Sequence, residues 1–287
     1  MHRRIERLID GQAGWARPVG EWNQRWLMEF FGRTRPLKDM LNGVWLGHPV
    51  HPAVTDVPVG ALMAGAVLDM AGLERAADIA LATAVAGMAA SAATGAADAV
   101  DAYGRPQVQA TVHASIMGAS LTACLLSLGL RATKSRALRP IAVALSLAGY
   151  AGVAAGAYVG GELTYGSGNM VDRHAWETRT AKWRALDVDD VPEGVLVRAN
   201  AGSTALVLSR SGDEIVALDA TCAHAGGPLD GGTVEDGCVE CPWHGSRFAL
   251  ADGRVVRGPA VYDQPAWEIR RADGGRLEAR QKPPIVA

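Results

Sequence analysis

The sequence lacks three features that would assign it to a common class. It has no excess of positive charge, because 28 Lys and Arg residues stand against 30 Asp and Glu residues, and this gives no indication of a nucleic-acid partner. It shows no export signal, since no apolar run follows Arg3 and Arg4. Charged side chains are scarce between 53 and 160, and 141–160 contains none. With 287 residues, this uneven distribution of charge indicates about two domains.

Four apolar segments occupy the region that is poor in charge. Each has about 20 residues, enough for a helix to cross a hydrocarbon core of about 30 Å. Their abundant Ala, Gly and Ser residues suit close helix packing in lipid. The alternative, a soluble bundle, would show a charged face at helical period. We therefore predict a four-helix transmembrane bundle whose first span is the insertion signal. The spans are 53–72, 79–97, 110–130 and 140–160.

Residues 1–47 alternate basic and apolar side chains and include four tryptophans. Tryptophan prefers the headgroup level of a bilayer, and arginine reaches outward from it. This pattern predicts a helical segment lying at the membrane interface, with a partner-binding helix as the alternative. The tryptophans are Trp15, Trp22, Trp26 and Trp45.

The chain changes character after the fourth span. The glycine-rich stretch 160–169 is expected to end the helix and to begin a flexible linker. From Trp183 onward, short apolar runs alternate with turn signals, which predicts an all-β domain of small antiparallel sheets. We expect strands near 194–198, 205–208, 215–218, 247–250 and 267–270. The predicted order is an interfacial segment at 1–47, a membrane domain at 48–162, a linker at 163–182 and a β domain at 183–287.

Two short motifs in the β region carry the most specific chemical signal. Cys222-Ala-His224 and Cys241-Pro-Trp-His244 each offer one thiolate and one imidazole at short spacing. A Rieske [2Fe–2S] centre needs such a set, because two cysteines hold one iron and two histidines hold the other. A zinc site that uses Cys238 and Cys241 is the competing interpretation, although a single residue between Cys222 and His224 fits zinc loops poorly. Cys238 is otherwise expected to be a half-buried strand thiol.

Residues 183–283 resemble the Rieske family of ferredoxin type. The matching stretches are Thr221-Cys-Ala-His-Ala-Gly-Gly-Pro-Leu229, Val239-Glu-Cys-Pro-Trp-His-Gly-Ser-Arg-Phe248 and Gly258-Pro259-Ala260. The resemblance implies a [2Fe–2S] cluster, with Cys222 and Cys241 on the inner iron and His224 and His244 on the outer, more exposed iron. It also implies a third loop at 258–260 that covers the cluster.

The chain departs from the quinol-oxidising members of that family. Gly227 and Trp243 stand where those subunits carry disulfide cysteines, and Phe248 stands where they carry a tyrosine hydroxyl. Fewer hydrogen bonds to sulfur stabilise the reduced cluster less, so we expect a potential in the lower or middle part of the range from about −150 to +300 mV. An oxygenase is not expected, because only about forty residues follow His244.

A second set of ionisable residues gathers at one end of the predicted spans. Such groups at membrane depth are costly unless they are paired or functional. We consider three explanations: helix capping, a b-type haem or other metal that uses His113 with His48 or His51, and a quinone pocket. The candidate residues are His48, His51, Asp56, Asp98 and His113.

The membrane half also resembles an uncharacterised bacterial family of four-span domains. The resemblance lies in His48-Pro-Val-His51-Pro52 and in Gly160-Gly-Glu-Leu-Thr-Tyr165, and it covers about residues 40–172. No activity can be transferred from that family, but fusion to a Rieske domain fits a redox setting.

These observations predict a multi-pass inner-membrane protein whose Rieske domain carries one electron between a reductase and an acceptor protein. Both ends of an even number of spans share one side, and we place them in the cytoplasm because no export route for a cofactor-loaded domain is evident. The alternative is a redox sensor or assembly protein in which the state of the cluster alters the membrane domain.

Overall fold

The computed structural model describes residues 2–177, 181–272 and 274–283, with the backbone alone at 2–4. The predictions for residues 1, 178–180, 273 and 284–287, in the interfacial segment, the linker and the β domain, lie outside the described residues. The chain divides into two compact units. We name Met1–Leu37 with Val50–Asn169 the helical unit, and Lys38–Pro49 with Met170–Ala287 the β unit.

Long helices form the helical unit and confirm the predicted all-α class. The four apolar segments are α4 to α7, and each of these helices is long and apolar enough to cross a membrane. Helix α3 runs across the boundary into the β unit. The helices are α1 His2–Asp10, α2 Ala13–Arg33, α3 Arg35–Asn42, α4 Val50–Met70, α5 Glu74–Ala99, α6 Arg105–Ala132 and α7 Arg139–Gly161.

The outer surface of the long helices is apolar. On α4, Val57, Met63 and Val67 each leave more than half of their surface exposed. A soluble bundle would place charged side chains there, whereas a helix in lipid turns apolar side chains outward. This surface supports the membrane interpretation over the soluble alternative.

The fourth span ends inside the glycine-rich stretch 160–169, as predicted. α7 continues through Gly160 and Gly161, however, and passes into a π-helical turn at Glu162–Gly166. A Cβ atom at Gly160 would lie 3.1 Å from Cε1 of His113, so this glycine makes room for the histidine ring. Gly160 therefore serves helix packing and is not itself the residue that ends the helix.

The amphipathic N-terminal region packs one side of α2 on the long helices. Gln24 is buried and donates hydrogen bonds to the backbone oxygens of Val100 (2.7 Å) and Ala102 (3.1 Å), which satisfies carbonyls beyond the end of α5. Trp22 and Trp26 lie on the exposed side, with their ring centres 6.2 Å apart. This exposed aromatic surface is compatible with the proposed location at a bilayer interface.

An ion-pair network joins the four long helices at one end. Arg131 of α6 binds both oxygens of Asp69 on α4, at 3.0 and 2.6 Å, and also binds Asp78 of α5 at 2.8 Å. Arg139 of α7 binds the same two carboxylates. The side chains of Arg131 and Asp69 are only 2% and 5% exposed. A buried charge of this kind is stable only while its partners are present.

We predict that Arg131→Met destabilises the helical unit, because it leaves the Asp69 carboxylate buried without its bidentate partner. Removal of one member of a buried ion pair costs about 3–5 kcal/mol. Thermal loss of the helical circular dichroism signal in detergent measures the effect. Arg136→Met, at an exposed position in the loop between α6 and α7, is the matched control. Equal melting temperatures for the two variants would refute the assigned role.

The β unit contains two antiparallel sheets, as predicted for an all-β domain. The order in the larger sheet is β1-β10-β9-β4-β3-β2, and the smaller sheet has the order β5-β6-β7-β8. The strands are β1 Arg184–Ala185, β2 Val197–Ala201, β3 Thr204–Ser211, β4 Glu214–Asp219, β5 Thr233–Glu235, β6 Cys238–Glu240, β7 Arg247–Ala249, β8 Val255–Arg257, β9 Ala266–Arg271 and β10 Leu277–Gln281.

Strand β3 is buried on both faces, because an apolar cluster lies on each side of it. Val207 pairs with Leu218 of β4 and joins the cluster that contains the smaller sheet, whereas Leu206 and Leu208 point into the opposite cluster. The apolar runs at β3 and β4, which contribute side chains to both clusters, were therefore the easiest strands to predict. The run expected at 194–198 forms a strand only from Val197, because Gly194 has a φ of +68°.

The limits of the β unit also differ from the predicted domain limits. Lys38–Pro49 was assigned to the interfacial segment and the start of the membrane domain, but it packs in the β unit, where Asp39 accepts a hydrogen bond from the backbone N–H of Gly258 (3.2 Å). His174 was placed in the flexible linker, yet it is buried and Nε2 contacts the backbone oxygen of Thr221 at 2.8 Å. Polar contacts that the sequence does not reveal fix both segments.

Candidate metal centre

Two loops of the β unit present the four predicted metal ligands. The first loop follows β4 and contains Cys222 and His224. The second connects β6 to β7 and contains Cys241 and His244. Each loop leaves a strand whose side chains belong to the apolar core, so the sheets fix where both loops begin.

The two loops share one pattern of backbone hydrogen bonds. In each loop the N–H of the cysteine bonds forward to the carbonyl five residues later, and its carbonyl accepts from the glycine N–H four residues later. Both of these glycines have positive φ, 82° and 75°, which L side chains rarely adopt. The bonds are Cys222 N to Gly227 O (2.8 Å), Gly226 N to Cys222 O (2.8 Å), Cys241 N to Ser246 O (2.8 Å) and Gly245 N to Cys241 O (3.0 Å).

The cysteine pair is prepared for metal binding. Both cysteines are buried, and their sulfurs lie within hydrogen-bonding distance of each other. Backbone N–H groups of His224 and Ala225 point at the sulfur of Cys222, and those of Trp243 and His244 point at the sulfur of Cys241. The shared hydrogen bond lowers the pKa of Cys241 to about 7 and raises that of Cys222. These amide donors stabilise thiolate, the form that binds iron.

The histidine pair lies beside the cysteines. The rings of His224 and His244 are perpendicular, with their centres 5.0 Å apart. Burial, with the nearby positive charges of His244, Lys38 and Arg173, lowers the pKa of His224 to about 3, so its imidazole is neutral. Nδ1 of His224 is buried and finds no hydrogen-bond partner in the described part of the chain. A neutral ring with a buried, unpartnered nitrogen fits a metal ligand.

The arrangement of the four side chains argues against a mononuclear zinc site. Within residues 2–177, 181–272 and 274–283, only His174, Glu177 and Asp219 form a set of three or more potential ligands whose binding atoms all lie within 4.8 Å of one another. The cysteine and histidine pairs therefore do not surround one point, as a tetrahedral zinc ion requires. Two pairs around two metal positions fit a diiron cluster. Cys238 lies in a strand, as expected, but it is more buried than the half-buried thiol that was predicted, with 8% of its surface exposed.

A third loop approaches the other two through Ser246. The backbone N–H of Ala260 donates a hydrogen bond to Oγ of Ser246 (3.0 Å), and both residues are fully or almost fully buried. Asp39 holds the adjacent Gly258 from the far side. The loop at 258–260 therefore lies where the sequence resemblance implied a cover for the cluster.

Two sulfur and two nitrogen donors, arranged in pairs on matched loops, define an iron–sulfur electron-carrier domain. Comparisons with known proteins agree with this class. Residues 182–268 match the family model described as "Rieske [2Fe-2S] domain". The anthranilate 1,2-dioxygenase ferredoxin subunit of Burkholderia cepacia is 33% identical over 99 residues, which are 34% of this chain and 92% of that protein.

Two further relatives have the same class of name. The 3-phenylpropionate/cinnamic acid dioxygenase ferredoxin subunit of Escherichia coli (strain K12) is 36% identical over 94 residues, which are 32% of this chain and 87% of that protein. The solved ferredoxin of carbazole 1,9a-dioxygenase from Nocardioides aromaticivorans IC177 is 27% identical, with a TM-score of 0.32, and the match covers 34% of this chain and 96% of that one. Through its β unit, this chain belongs to the Rieske ferredoxin family. Its cofactor is therefore a [2Fe–2S] cluster.

The helical unit matches a second family. Residues 47–173 match the model described as "Predicted membrane protein (DUF2231)". This match, together with four helices of sufficient length and apolarity, identifies a membrane domain. The predicted fusion of a membrane domain to a Rieske domain is confirmed.

Two of the membrane candidates, His51 and His113, come together. Their rings are perpendicular, with centres 6.4 Å apart. Nδ1 of His51 contacts the backbone oxygen of Ser91 at 2.9 Å, and Nδ1 of His113 contacts that of Gly156 at 2.8 Å. Each histidine is therefore fixed by a carbonyl of the helix that follows it in the chain, α5 for His51 and α7 for His113.

The other three candidates lie in different surroundings. His48 belongs to the β unit, where its ring is exposed and Nδ1 contacts the oxygen of Pro49. Asp56 is exposed on α4, whereas Asp98 is buried near the end of α5. The structure thus reduces the predicted set to one close histidine pair.

Sequence reasoning missed three residues near the metal centre. Lys38 and Arg173 place positive charge near His224, although both are far from it in sequence. Gln264 donates to the oxygens of Asp219 and Thr221 and accepts from the N–H of Ala223, which bridges the base of the first loop. No motif marks these residues, because their role arises only from the fold.

We predict that Gly227→Ala reduces cluster content several-fold. A Cβ atom at Gly227 would lie 2.8 Å from Sγ of Cys241 and 3.0 Å from Cγ of Trp243, so it would push the second loop away. Iron per chain and visible absorption measure the effect. Gly231→Ala is the matched control, because its added Cβ would meet only proline carbons at 4.0 Å. Full cluster content in Gly227→Ala would contradict the close approach of the two loops.

Proposed function

We propose that this chain is a membrane-anchored Rieske ferredoxin that carries one electron between a reductase and an acceptor at the same membrane face. The observation that supports it most strongly is the pair of matched loops, each with one cysteine and one histidine. The membrane domain would keep the carrier at the bilayer surface. The same proposal places the chain in the inner membrane with its β unit in the cytoplasm.

In this proposal Cys222 and Cys241 bind the inner iron, and His224 and His244 bind the outer iron. The cluster, when bound, supplies reversible one-electron chemistry. The cysteine side is closed by the apolar core, whereas His244 is partly exposed and Trp243 leaves 57% of its surface exposed. The rings of these two neighbours have centres 6.2 Å apart. The exposed surface at Trp243 and His244 is where a partner protein would approach the outer iron.

The names of the relatives suggest the class of partner. They are ferredoxin components of dioxygenase systems, and one solved relative is described as a complex of reduced oxygenase and oxidized ferredoxin. By analogy, a reductase would load the electron here and a second protein would receive it. The comparisons give no support to a quinone.

Spectroscopy of cluster-ligand variants tests the proposal. We expect detergent-purified protein to contain two non-haem irons per chain and to show a Rieske-type EPR signal after reduction. His244→Ala and Cys241→Ser should lose this signal while the helical circular dichroism stays unchanged. Cys238→Ser should keep it, because that sulfur lies outside the two pairs. Zinc in place of iron in the purified protein would overturn the assignment.

Reduction kinetics then distinguish a carrier from a sensor. A carrier should accept an electron from a ferredoxin reductase and pass it to an oxidant over many cycles. A sensor should instead change the protease sensitivity of its membrane helices when the cluster is reduced. Slow, single-turnover reduction together with such a change would favour the sensor.

We further propose that His51 and His113 would together hold the iron of a b-type haem. Metal–imidazole bonds are about 2.0–2.1 Å, so two imidazoles on one metal have ring centres roughly 6 Å apart, close to the 6.4 Å observed. Nδ1 of each ring already contacts a backbone carbonyl, which leaves Nε2 for the metal. This is the usual arrangement of a ligating histidine.

Gly95 and Gly160 pack against the rings of His51 and His113, where an added Cβ would lie 2.9 and 3.1 Å from Cε1 of the respective ring. A second redox centre would let the membrane domain exchange electrons with the Rieske cluster.

Absorption and metal analysis test the second centre. We expect a Soret band in wild-type protein that is lost in both His51→Ala and His113→Ala and retained in His48→Ala, since His48 is exposed and belongs to the other unit. The Rieske EPR signal should persist in all three variants. A metal lost in the same two variants without a Soret band would show a bare ion in place of haem. Wild-type protein with neither haem nor any metal beyond the cluster iron would refute the site.

A further inference from the structure

A group of three ionisable side chains in the β unit is not used by the cluster. His174 and Glu177 belong to the segment that precedes the sheets, and Asp219 ends β4. Nδ1 of His174 lies 3.0 Å from Oε1 of Glu177 and 3.3 Å from Oδ2 of Asp219. The three potential ligand atoms all lie within 4.8 Å of one another.

Two of these atoms are buried and have no hydrogen-bond partner among the residues that the structure describes. The side chains of His174 and Asp219 are 4% and 2% exposed, and neither Nδ1 nor Oδ2 makes a contact with hydrogen-bond geometry. Buried polar atoms without partners are rare and costly. Burial, with the neighbouring Glu177 carboxylate, raises the pKa of Asp219 to about 7, although His174 and Trp267 act in the opposite direction. A cation between the three side chains would remove both costs.

The other polar atoms of His174 and Asp219, Nε2 and Oδ1, make hydrogen bonds within the β unit. Nε2 of His174 donates to the backbone oxygen of Thr221 at 2.8 Å, so Nδ1 is the nitrogen that faces Glu177 and Asp219. Nε1 of Trp267 donates to Oδ1 of Asp219 at 2.6 Å, which directs Oδ2 toward His174. Histidine ligands of metals usually donate their second N–H to a carbonyl in this way, and ligating carboxylates are themselves hydrogen-bonded.

The distances fit ligands on one metal ion. With bonds of about 2.0–2.2 Å, neighbouring ligand atoms on a tetrahedral or octahedral ion lie roughly 3.0–3.5 Å apart. The observed separations of 3.0 and 3.3 Å fall in this range. One imidazole with two carboxylates suits zinc, ferrous iron or manganese.

We propose that His174, Glu177 and Asp219 form a binding site for one divalent transition-metal ion, separate from the [2Fe–2S] cluster. None of the three is a candidate cluster ligand. Glu177 is 43% exposed and provides the path by which the ion enters. Three protein ligands leave at least one coordination position open to water.

The site would brace the first cluster loop. Thr221, whose oxygen contacts His174, directly precedes Cys222 and also accepts a hydrogen bond from Gln264 at 2.6 Å. The backbone N–H of Arg173 donates to the oxygen of Ala223 at 3.2 Å. An ion on His174 would therefore fix residues 173–177 against the loop that holds Cys222 and His224.

Zinc binding by the full-length, cluster-loaded protein tests this site. The protein is first washed with chelator and then supplied with zinc. We expect it to bind one zinc ion per chain in addition to the cluster iron. X-ray absorption at the zinc edge should show only nitrogen and oxygen neighbours at about 2.0–2.2 Å, and no sulfur at about 2.3 Å. His174→Gln, Asp219→Asn and Glu177→Gln should each weaken zinc affinity at least tenfold.

The controls separate loss of the site from loss of the fold. Glu214→Gln, at an exposed acidic position of the same unit, and Cys238→Ser should bind zinc as the wild type does. The Rieske EPR signal reports whether each variant has folded. If His174→Gln or Asp219→Asn fails to assemble its cluster, Glu177→Gln is the decisive variant, because Glu177 is exposed. Equal affinity in Glu177→Gln and Glu214→Gln, sulfur neighbours at zinc, or no zinc uptake by the wild type would overturn the proposal. The last result would mean that the three side chains form a metal-free ion cluster.

Discussion

The β unit depends on bringing two loops from different strands to one position. Each loop closes with the same pair of backbone hydrogen bonds, and in each the glycine four residues after the cysteine adopts a positive φ. These bonds satisfy the backbone inside the loop, so the cysteine and histidine side chains are free to face the metal position. The sheets, the third loop and the segment at 38–49 all serve to hold this arrangement, since each contributes contacts behind or beside the loops.

Much of the architecture could be predicted from sequence because its signals are local. An uncharged run such as 141–160 has few alternatives to a membrane helix, and the paired Cys and His motifs require a specific cofactor. The strands at β3 and β4 were equally clear, since both of their faces carry apolar side chains. Strands such as β5 and β8, with three residues each, carry no comparable signal.

The remaining features depend on contacts between residues that are distant in sequence. Gly160 looked like a helix breaker, and only its packing against His113 explains why it lies inside α7. His174 looked like part of a linker, and only the carbonyl of Thr221 reveals that it is fixed. Arg131 directly follows the third predicted span, and only its contacts with Asp69 and Asp78 reveal that it belongs to a buried ion-pair network. In all three cases the residue type is ambiguous and its partner decides the role.

The β unit is assembled from two pieces of chain, Lys38–Pro49 and Met170–Ala287, with α4 to α7 encoded between them. During synthesis the earlier piece leaves the ribosome well before the loops that it will contact. Cluster insertion must therefore wait until the whole membrane portion has been translated. A fragment that starts after the last span would lack Lys38 and Asp39. Its redox domain would therefore lose the contact of Asp39 with Gly258 and the positive charge of Lys38 near His224.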